Sequence, residues 1–334
     1  MAPRITLITP SFQQRQFVLP CLASVHDQGY ENLEHIVVDG GSTDGSKEGI
    51  RQFADKLAWW CSEADRGQSH AINKGLEHAT GEVFGWLNSD DLLLPGALQR
   101  VGDAFAADPE LQVFGGQRLF RTEGKDDRPS PLDDASDHDG LFLHPQVNQQ
   151  STFYRMDAVR TIGGVEEGLH YTMDLELWWQ VLFAKEHVRS RFDKIPLAVF
   201  RFHSDAKTAT GGNAFRDETA IILHHLAVQL DQHDLAIVLE TGYAVDRALR
   251  PMPLEVRHIP IVRRMIVYFL LKWHHTIHDR EAFEMMRHFS RTIQLNEDRI
   301  EPEQRSNWKK VTAQTVRSSW TTFRIKRKLD HLFT

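Results

Sequence analysis

At 334 residues the chain is longer than a short binding module and suits one domain of about 200 to 250 residues with an appendage. Hydrophobic residues at 41% and charged residues at 25% are ordinary for a folded protein, which excludes wholesale disorder. The formal net charge of -7 is unevenly placed: residues 245–334 hold 18 Lys and Arg against 10 Asp and Glu, and the remainder 21 against 36, so the two parts face different partners.

The first apolar run, residues 5–8, reads as a strand, and nothing before it has the long apolar segment and cleavage site of a secretory signal. Two cysteines, Cys21 and Cys61, lack any CxxC or zinc spacing, which argues against a disulfide framework and a structural zinc and suits the cytoplasm. Leu19, Leu22, Ala23 and Val25 recur at helical spacing, residues 35–38 form a second strand, and Ala71, Ile72, Gly75, Leu76 and Ala79 predict the next helix. A third strand at 83–87 ends in a polar cluster at 88–91, and Pro95 opens a helix through Leu98, Val101 and Phe105. This alternation predicts βαβ units around a largely parallel sheet.

Residues 122–140 are acidic and rich in Pro and Ser, which reads as a mobile loop and a candidate lid. Ile222, Leu223, Leu226, Ala227 and Leu230 predict a helix, and the rest of the chain reads as helical with breaks near Pro251, Pro253, Pro260 and Pro302. The domain boundary is placed at Gly211 and Gly212, giving domains at 1–212 and 213–334. The apolar run at 265–271 is far shorter than the roughly 20 residues that span a bilayer.

Three polar loops end strands on one edge of the sheet, where open α/β folds bind ligands: Thr9-Pro10-Ser11, Asp39-Gly40-Gly41-Ser42 and Asn88-Ser89-Asp90-Asp91. In HIVVDGGSTDGS, Asp39 is an acceptor for a base imide or a ribose hydroxyl, or the cap of a strand-to-helix turn. In WLNSDD, adjacent carboxylates offer hard oxygen ligands for Mg²⁺ or Mn²⁺ and so for a diphosphate, or a helix N-cap. Asp65 and Arg66, in SEADRGQSHAINKG, precede a Gly that leads into a helix and read also as a capped helix start.

In this order and spacing, TPSF, VVDGGSTDGS, the E-x-D-R-G-Q-S-x-A-I-N-K-G stretch and TGEVFGWLNSDD resemble family-2 nucleotide-sugar glycosyltransferases of the GT-A fold. The resemblance runs over residues 4–208 and continues through NQQSTFYRMDAVRTIGG, YTMDLELWWQV and FRFHSDAKT. It implies a Rossmann-like, mixed, mostly parallel α/β sheet flanked by helices, with a helical C-terminal extension. It also implies inverting transfer of a sugar from a nucleotide diphosphate donor, with UDP favoured by family frequency, to a glycan or lipid-linked acceptor in bacterial surface-polysaccharide assembly. By similarity, Thr9, Pro10, Ser11, Asp39, Asp65, Arg66 and Asn88 contact the nucleotide, and Asp90 lies near the ribose and diphosphate. Asp91 and His203 hold Mn²⁺ or Mg²⁺, Lys207 meets the diphosphate, Asp174 is the general base, and Gln150, Ser151 and Trp178 border the sugar or acceptor.

Three departures and alternatives accompany that assignment. The acidic motif is Ser-Asp-Asp rather than Asp-x-Asp, Met173 stands where relatives often have an acid, and Glu176 rivals Asp174 on what would be a different face of a helix. Trp178 and Trp179 read as sugar platforms or as core, and QQST as a capped helix start. A nucleotidyltransferase would need a glycine-rich phosphate loop that TPSFQQRQF lacks; a non-catalytic nucleotide-sugar-binding protein is the rival of another class.

His224, His225, His274 and His275 are expected on helix surfaces. Arg263, Arg264, Lys272, Arg317, Arg324, Lys326, Arg327 and Lys328 interleave with Val267, Tyr268, Phe269, Trp273, Trp320 and Phe323. That pattern reads as peripheral contact with an anionic membrane, at its inner face, or as a helical bundle packed on the catalytic domain or on a second subunit of a homo-oligomer. No nucleic-acid partner is expected.

Overall fold

The computed structural model describes residues 2–273, 280–293, 302–315 and 318–324. Two compact units divide the chain, Met1–Ala214 and Phe215–Thr334.

The first unit is built on one sheet: β1 (Ile5–Ser11), β2 (Leu33–Asp39), β3 (Trp59–Ser62), β4 (Val83–Trp86), β5 (Leu92–Leu93), β6 (Val113–Thr122), β7 (Arg128–Pro129), β8 (Thr152–Arg155) and β9 (Ser190–Phe202). Its order is β3-β2-β1-β4-β8-β6-β9-β5, with β7 on β6. The pairs β1–β2, β1–β4, β2–β3 and β6–β9 are parallel, while β8 lies antiparallel to both β4 and β6. β1 is central and every one of its residues is buried, as expected of a parallel strand covered on both faces. On one side Ile5, Leu7, Val83, Leu98, Val101, Phe105 and Phe114 form a core cluster; Val18, Leu22, Val37 and Ile50 form a second.

Some local expectations change in the structure. β3 was not anticipated, because its residues WWCS are half-buried throughout and show no alternation; pairing with β2 and stacking of Trp59 on His78 at 3.8 Å hold it instead. The helix after the acidic cluster is Ala97–Ala107, so Pro95 precedes it rather than opening it. Residues 122–140 are mostly turns and loop, tied down at a few points. β7 pairs with β6, Ser130 is buried with its Oγ accepting the Arg118 backbone N–H at 3.0 Å, and Leu141 is buried in the short helix Gly140–Leu143.

The second unit contains the helices Ala214–Gln229, whose first residue lies at the boundary, His233–Gly242, Ile259–Trp273, Arg280–Thr292 and Pro302–Thr315. Pro260 and Pro302 sit in first turns, where a missing N–H costs nothing, and so start helices rather than break them. His224 is not a solvated surface residue: its Nε2 lies 2.8 Å from Glu240 and bridges two helices. Val267, Phe269, Phe323 and Arg264 are buried within the unit, Phe269 against Tyr243 at 5.5 Å and Phe323 against Phe283 at 5.1 Å. Among the described residues no helix is long and apolar enough to cross a membrane. His274, His275, Arg317, Lys326, Arg327 and Lys328 lie outside the described residues.

Candidate active site

Strands β1 to β4 run in one sense, and β6 and β9 share it through β8, so the C-terminal ends of all six lie on one edge. That edge gathers Ser11, Asp39, the acidic turn at 88–91 and His203, with the single turn Gln149–Ser151 leading into β8 from the same side.

Where β1, β2 and β3 end, polar side chains are spent on one another. Asp39 is fully buried; its Oδ2 accepts the Ser42 N–H at 2.9 Å and the Ser62 hydroxyl at 2.7 Å, and its Oδ1 accepts the Ser42 hydroxyl. The carboxylate therefore shapes its own loop and ties it to β3. Gly40 allows a close approach: a Cβ there would lie 2.8 Å from Asp65 Oδ2 and 3.2 Å from the Phe12 ring. Asp65 Oδ1 accepts the Gly67 N–H at 2.8 Å. Thr9 Oγ1 is buried 3.0 Å from His35 Nε2, Pro10 is buried, and Ser11 Oγ is buried with no hydrogen-bond partner. Phe12 is 58% exposed beside this loop and presents an apolar face that sequence reasoning did not single out.

The acidic turn is held from β9. Arg201 donates its backbone N–H to Asp91 Oδ1 at 3.2 Å, and its guanidinium donates to the carbonyls of Phe17 at 3.1 Å, Ser89 at 3.3 Å, Asp90 and Asp91. The Phe17 ring packs against that guanidinium at 4.9 Å and against the His203 ring at 4.4 Å. His203 Nε2 lies 3.1 Å from Asp90 Oδ2, so the imidazole partners Asp90 rather than Asp91. Asp91 is buried and its Oδ2 has no hydrogen-bond partner. Burial and then the charge of Asp90 push its carboxyl well above the ordinary range, opposed by Gln150, the Arg201 N–H and Arg118.

Asn88 accepts from Gln68 Nε2 at 2.6 Å and donates to Gln149 at 3.4 Å, which in turn donates to the Trp86 carbonyl at 2.6 Å. Lys207 Nζ donates to Gln68 Oε1 at 2.7 Å and the His170 carbonyl at 2.6 Å, drawing the segment after β9 towards the helix Gln68–His78.

Asp174 lies in the first turn of the helix Met173–Phe183 and its Oδ1 accepts the Leu175 N–H at 2.9 Å. It is half-buried, and burial raises its pKa against the opposing Leu175 N–H and the charges of Arg118 and Lys207. Glu176 has no exposed surface and accepts from Gln180 Nε2 at 2.8 Å within the same helix. The two carboxylates thus differ as helix geometry requires, and only Asp174 meets solvent.

Trp178 and Ser151 are drawn inward. Trp178 is 1% exposed and donates its indole N–H to the Leu141 carbonyl at 2.8 Å, so it is core and not a sugar platform; Trp179 is likewise buried. Ser151 is fully buried and donates to the Gln117 carbonyl at 2.9 Å, and Arg66 is an exposed side chain ion-paired with Glu167 at 2.6 Å. Gln150 is buried with its Oε1 accepting Arg118 Nη1 at 3.1 Å. Arg118 and Arg201 were missed. Arg201 stands in the quoted run FRFHSDAKT, where its alternation with Phe200 and Phe202 puts it on the face opposite the two rings; Arg118 is one of two arginines along β6, and no pattern marks it.

The model of the family described as Glycosyl transferase family 2 matches residues 6–202. A Rickettsia felis protein named as an uncharacterized glycosyltransferase is 27% identical over 214 residues, which are 61% of this chain but only 35% of that protein. One from Mycobacterium tuberculosis is 29% identical over 57% of this chain and 73% of its own length. Among solved structures, Staphylococcus aureus TarS 1–349 in complex with UDP-GlcNAc has a TM-score of 0.62 at 13% identity, covering 94% of this chain and 91% of that one. Mannosyltransferase PcManGT from Pyrobaculum calidifontis, in complex with GDP-Man and Mn²⁺, has a TM-score of 0.51 at 18% identity, covering 95% and 88%. The fold is GT-A, a mixed α/β sheet flanked by helices with a helical C-terminal region. With the family model running through every strand of the edge that gathers the acidic turn, this chain belongs to glycosyl transferase family 2.

Proposed function

We propose that this chain is a metal-dependent inverting glycosyltransferase of hexosyl or N-acetylhexosaminyl type. It moves a sugar from a nucleoside diphosphate, UDP favoured, to a hydroxyl of a glycan or lipid-linked acceptor in bacterial surface-polysaccharide assembly. The observation that carries the reading is Asp91 Oδ2, a buried carboxylate oxygen with no donor, next to the Asp90–His203 couple. Such an oxygen is stable as a charge only when a cation completes it.

Carboxylate oxygen and imidazole nitrogen fit Mn²⁺ or Mg²⁺. Among the described residues no three His, Cys, Asp or Glu side chains group into a full cage, so in this reading the ion would take its remaining ligands from diphosphate and water. Asp91, with His203 or Asp90, would hold the ion, and when bound it would neutralise charge on the departing diphosphate. UDP-GlcNAc and GDP-Man in the two structural neighbours support a nucleotide-sugar donor, and Mn²⁺ in one of them supports the ion.

In the transfer, the acceptor oxygen bonds to the anomeric carbon while the bond from that carbon to the diphosphate oxygen breaks. The electron pair leaves with the diphosphate, and the acceptor proton passes to Asp174. Asp174 suits that role because its raised pKa favours proton uptake while Arg118 and Lys207 keep it ionisable. Lys207 offers an ammonium to the donor once it leaves Gln68.

A thermal-shift panel of UDP, GDP and dTDP, each with and without Mn²⁺, tests the donor side. A ligand at 100 times its Kd stabilises by about 2.7 kcal/mol. The expected result is a Mn²⁺-dependent shift with UDP that Asp91→Ala abolishes; equal shifts without the ion and in the variant overturn the metal assignment.

A further inference from the structure

We infer that Gln68 is a positioning residue: its side-chain amide joins Lys207 to Asn88, the first residue of the acidic turn, and so holds the lysine at the edge where the donor diphosphate would lie. The inference rests on the proposed reading of Lys207 as a contact of that diphosphate. Gln68 opens the helix Gln68–His78, which follows β3, and side chains in a first turn lean back towards the helix N-terminus and so towards the strand ends. The turn before it is set by Gly67, whose φ of 119° suits glycine and whose N–H is held by Asp65 Oδ1 at 2.8 Å.

Gln68 Oε1 accepts from Lys207 Nζ at 2.7 Å, and Gln68 Nε2 donates to Asn88 Oδ1 at 2.6 Å. Asn88 Nδ2 then donates to Gln149 Oε1 at 3.4 Å, and Gln149 Nε2 to the Trp86 carbonyl at 2.6 Å. An ammonium can only donate and a carbonyl can only accept, so the two ends give the chain one direction, and turning any of its amides over would break it. Four segments distant in sequence meet there: the short helix Lys207–Thr210 after β9, the start of the helix after β3, the turn after β4, and the turn Gln149–Ser151 before β8. Asn88 also braces the acidic turn through its carbonyl, which accepts the Asp91 N–H at 2.9 Å. Lys207 is exposed and also donates to the His170 carbonyl at 2.6 Å; of these two bonds, the one to Gln68 ties it to the acidic turn. An amide oxygen, unlike a carboxylate, holds an ammonium without cancelling its charge, as a lysine that serves a diphosphate requires.

The test uses the full chain with Gln68→Met, which removes both bonds at similar length, Gln68→Ala as a second shape should the first fail to fold, and Gln68→Glu, which keeps an acceptor for Lys207. Hydrogen exchange without ligand follows the amides of Ala209, Thr210 and Gly211, which close the short helix. Gln68→Met is expected to speed their exchange by about 3- to 10-fold, with Gln68→Glu staying near the parent. Calorimetry with UDP and Mn²⁺ follows the donor side: Gln68→Met should weaken affinity by about 3- to 10-fold, but by less than about 2-fold in a Lys207→Met background. That non-additivity is the mark of a residue acting through Lys207, and a merely structural role would not produce it. Unmoved exchange in a folded Gln68→Met or Gln68→Ala, exchange in Gln68→Glu as fast as in Gln68→Met, or losses of UDP affinity that add to those of Lys207→Met overturn the inference. If Lys207→Met leaves UDP affinity unchanged, the reading of Lys207 as a diphosphate contact falls instead, while exchange still decides whether Gln68 holds it, so the two failures are distinct.

Discussion

At the ends of β1, β2 and β3, Asp39 accepts three hydrogen bonds and Thr9 meets His35, whereas at the ends of β4, β6 and β9 the Asp91 carboxylate keeps an oxygen without a donor and Arg118 an N–H without an acceptor. The first region is satisfied apart from the buried Ser11 hydroxyl. The second carries charges, Asp91 buried and Asp174 and Arg118 half-buried, whose pKa values burial pushes towards the neutral form: Asp91 and Asp174 upward, Arg118 downward. Hydrogen bonds already made hold a loop in one shape, while a carboxylate oxygen left without a donor can still take a ligand. Under the proposed function, the first region would serve recognition and the second chemistry.

The largest expected effect lies in the second region. Asp174→Asn removes proton acceptance at nearly constant size, and turnover is expected to fall by ~10²- to 10⁴-fold with nucleotide affinity intact. Steady-state transfer measured beside UDP binding checks this, with Glu176→Gln as the control; if Glu176→Gln loses turnover and Asp174→Asn keeps it, the base is Glu176.

In the first region the expected losses are in stability. Asp39→Ala leaves the Ser42 N–H and the Ser42 and Ser62 hydroxyls without their acceptor, which should cost about 3 kcal/mol. Urea unfolding measures it. A change under about 1 kcal/mol would mean that the loop does not depend on the carboxylate and that the region is less complete than its bonds suggest.

His35 gives that region a pH signature. Burial, with the neighbouring His26 charge, pushes it down to about 3, so it stays neutral in the fold while the unfolded chain takes up a proton below about 6.5. The unfolded state then binds more protons, and stability present above that pH is lost as the pH falls, at about 1.4 kcal/mol per unit across the window. His35→Gln should flatten the fall in Tm between about pH 6.5 and pH 4.5 relative to the parent; identical slopes would show that His35 does not carry it.

The smallest effect is expected at Arg66. Its ion pair with Glu167 is exposed, and such pairs contribute about 0.2–1 kcal/mol. Arg66→Ala should therefore leave Tm within a degree or two, on the order expected for that energy. A large loss of UDP affinity in the same variant would show that Arg66 leaves Glu167 for the donor and would extend the recognition region.

Much of the second region was legible, because chemistry-bearing residue types cluster in short runs. WLNSDD, FRFHSDAKT and YTMDLELWW supplied Asp90, Asp91, His203, Lys207 and Asp174, and the structure brings the acidic turn and His203 together. Trp178 was not legible: WW on a helix has the same pattern whether a ring faces a cleft or the Leu141 carbonyl. Neither was the two-residue strand at 128–129 within the acidic, Pro-rich loop 122–140, since only pairing with β6 makes it.

By itself the sequence determined the βαβ alternation, the shared strand edge and the acidic turn, because periodicity and strand-end loops are local properties of neighbouring residues. Only the tertiary structure decided which carboxylate oxygen has no donor, that His203 turns to Asp90, that Glu176 is buried, and that Arg201 holds the acidic turn. Those outcomes depend on contacts across large sequence separations, Arg201 to the 88–91 turn and Arg118 to Gln150. Burial and electrostatics are sums over everything packed around a group, and no short window of residues contains that sum.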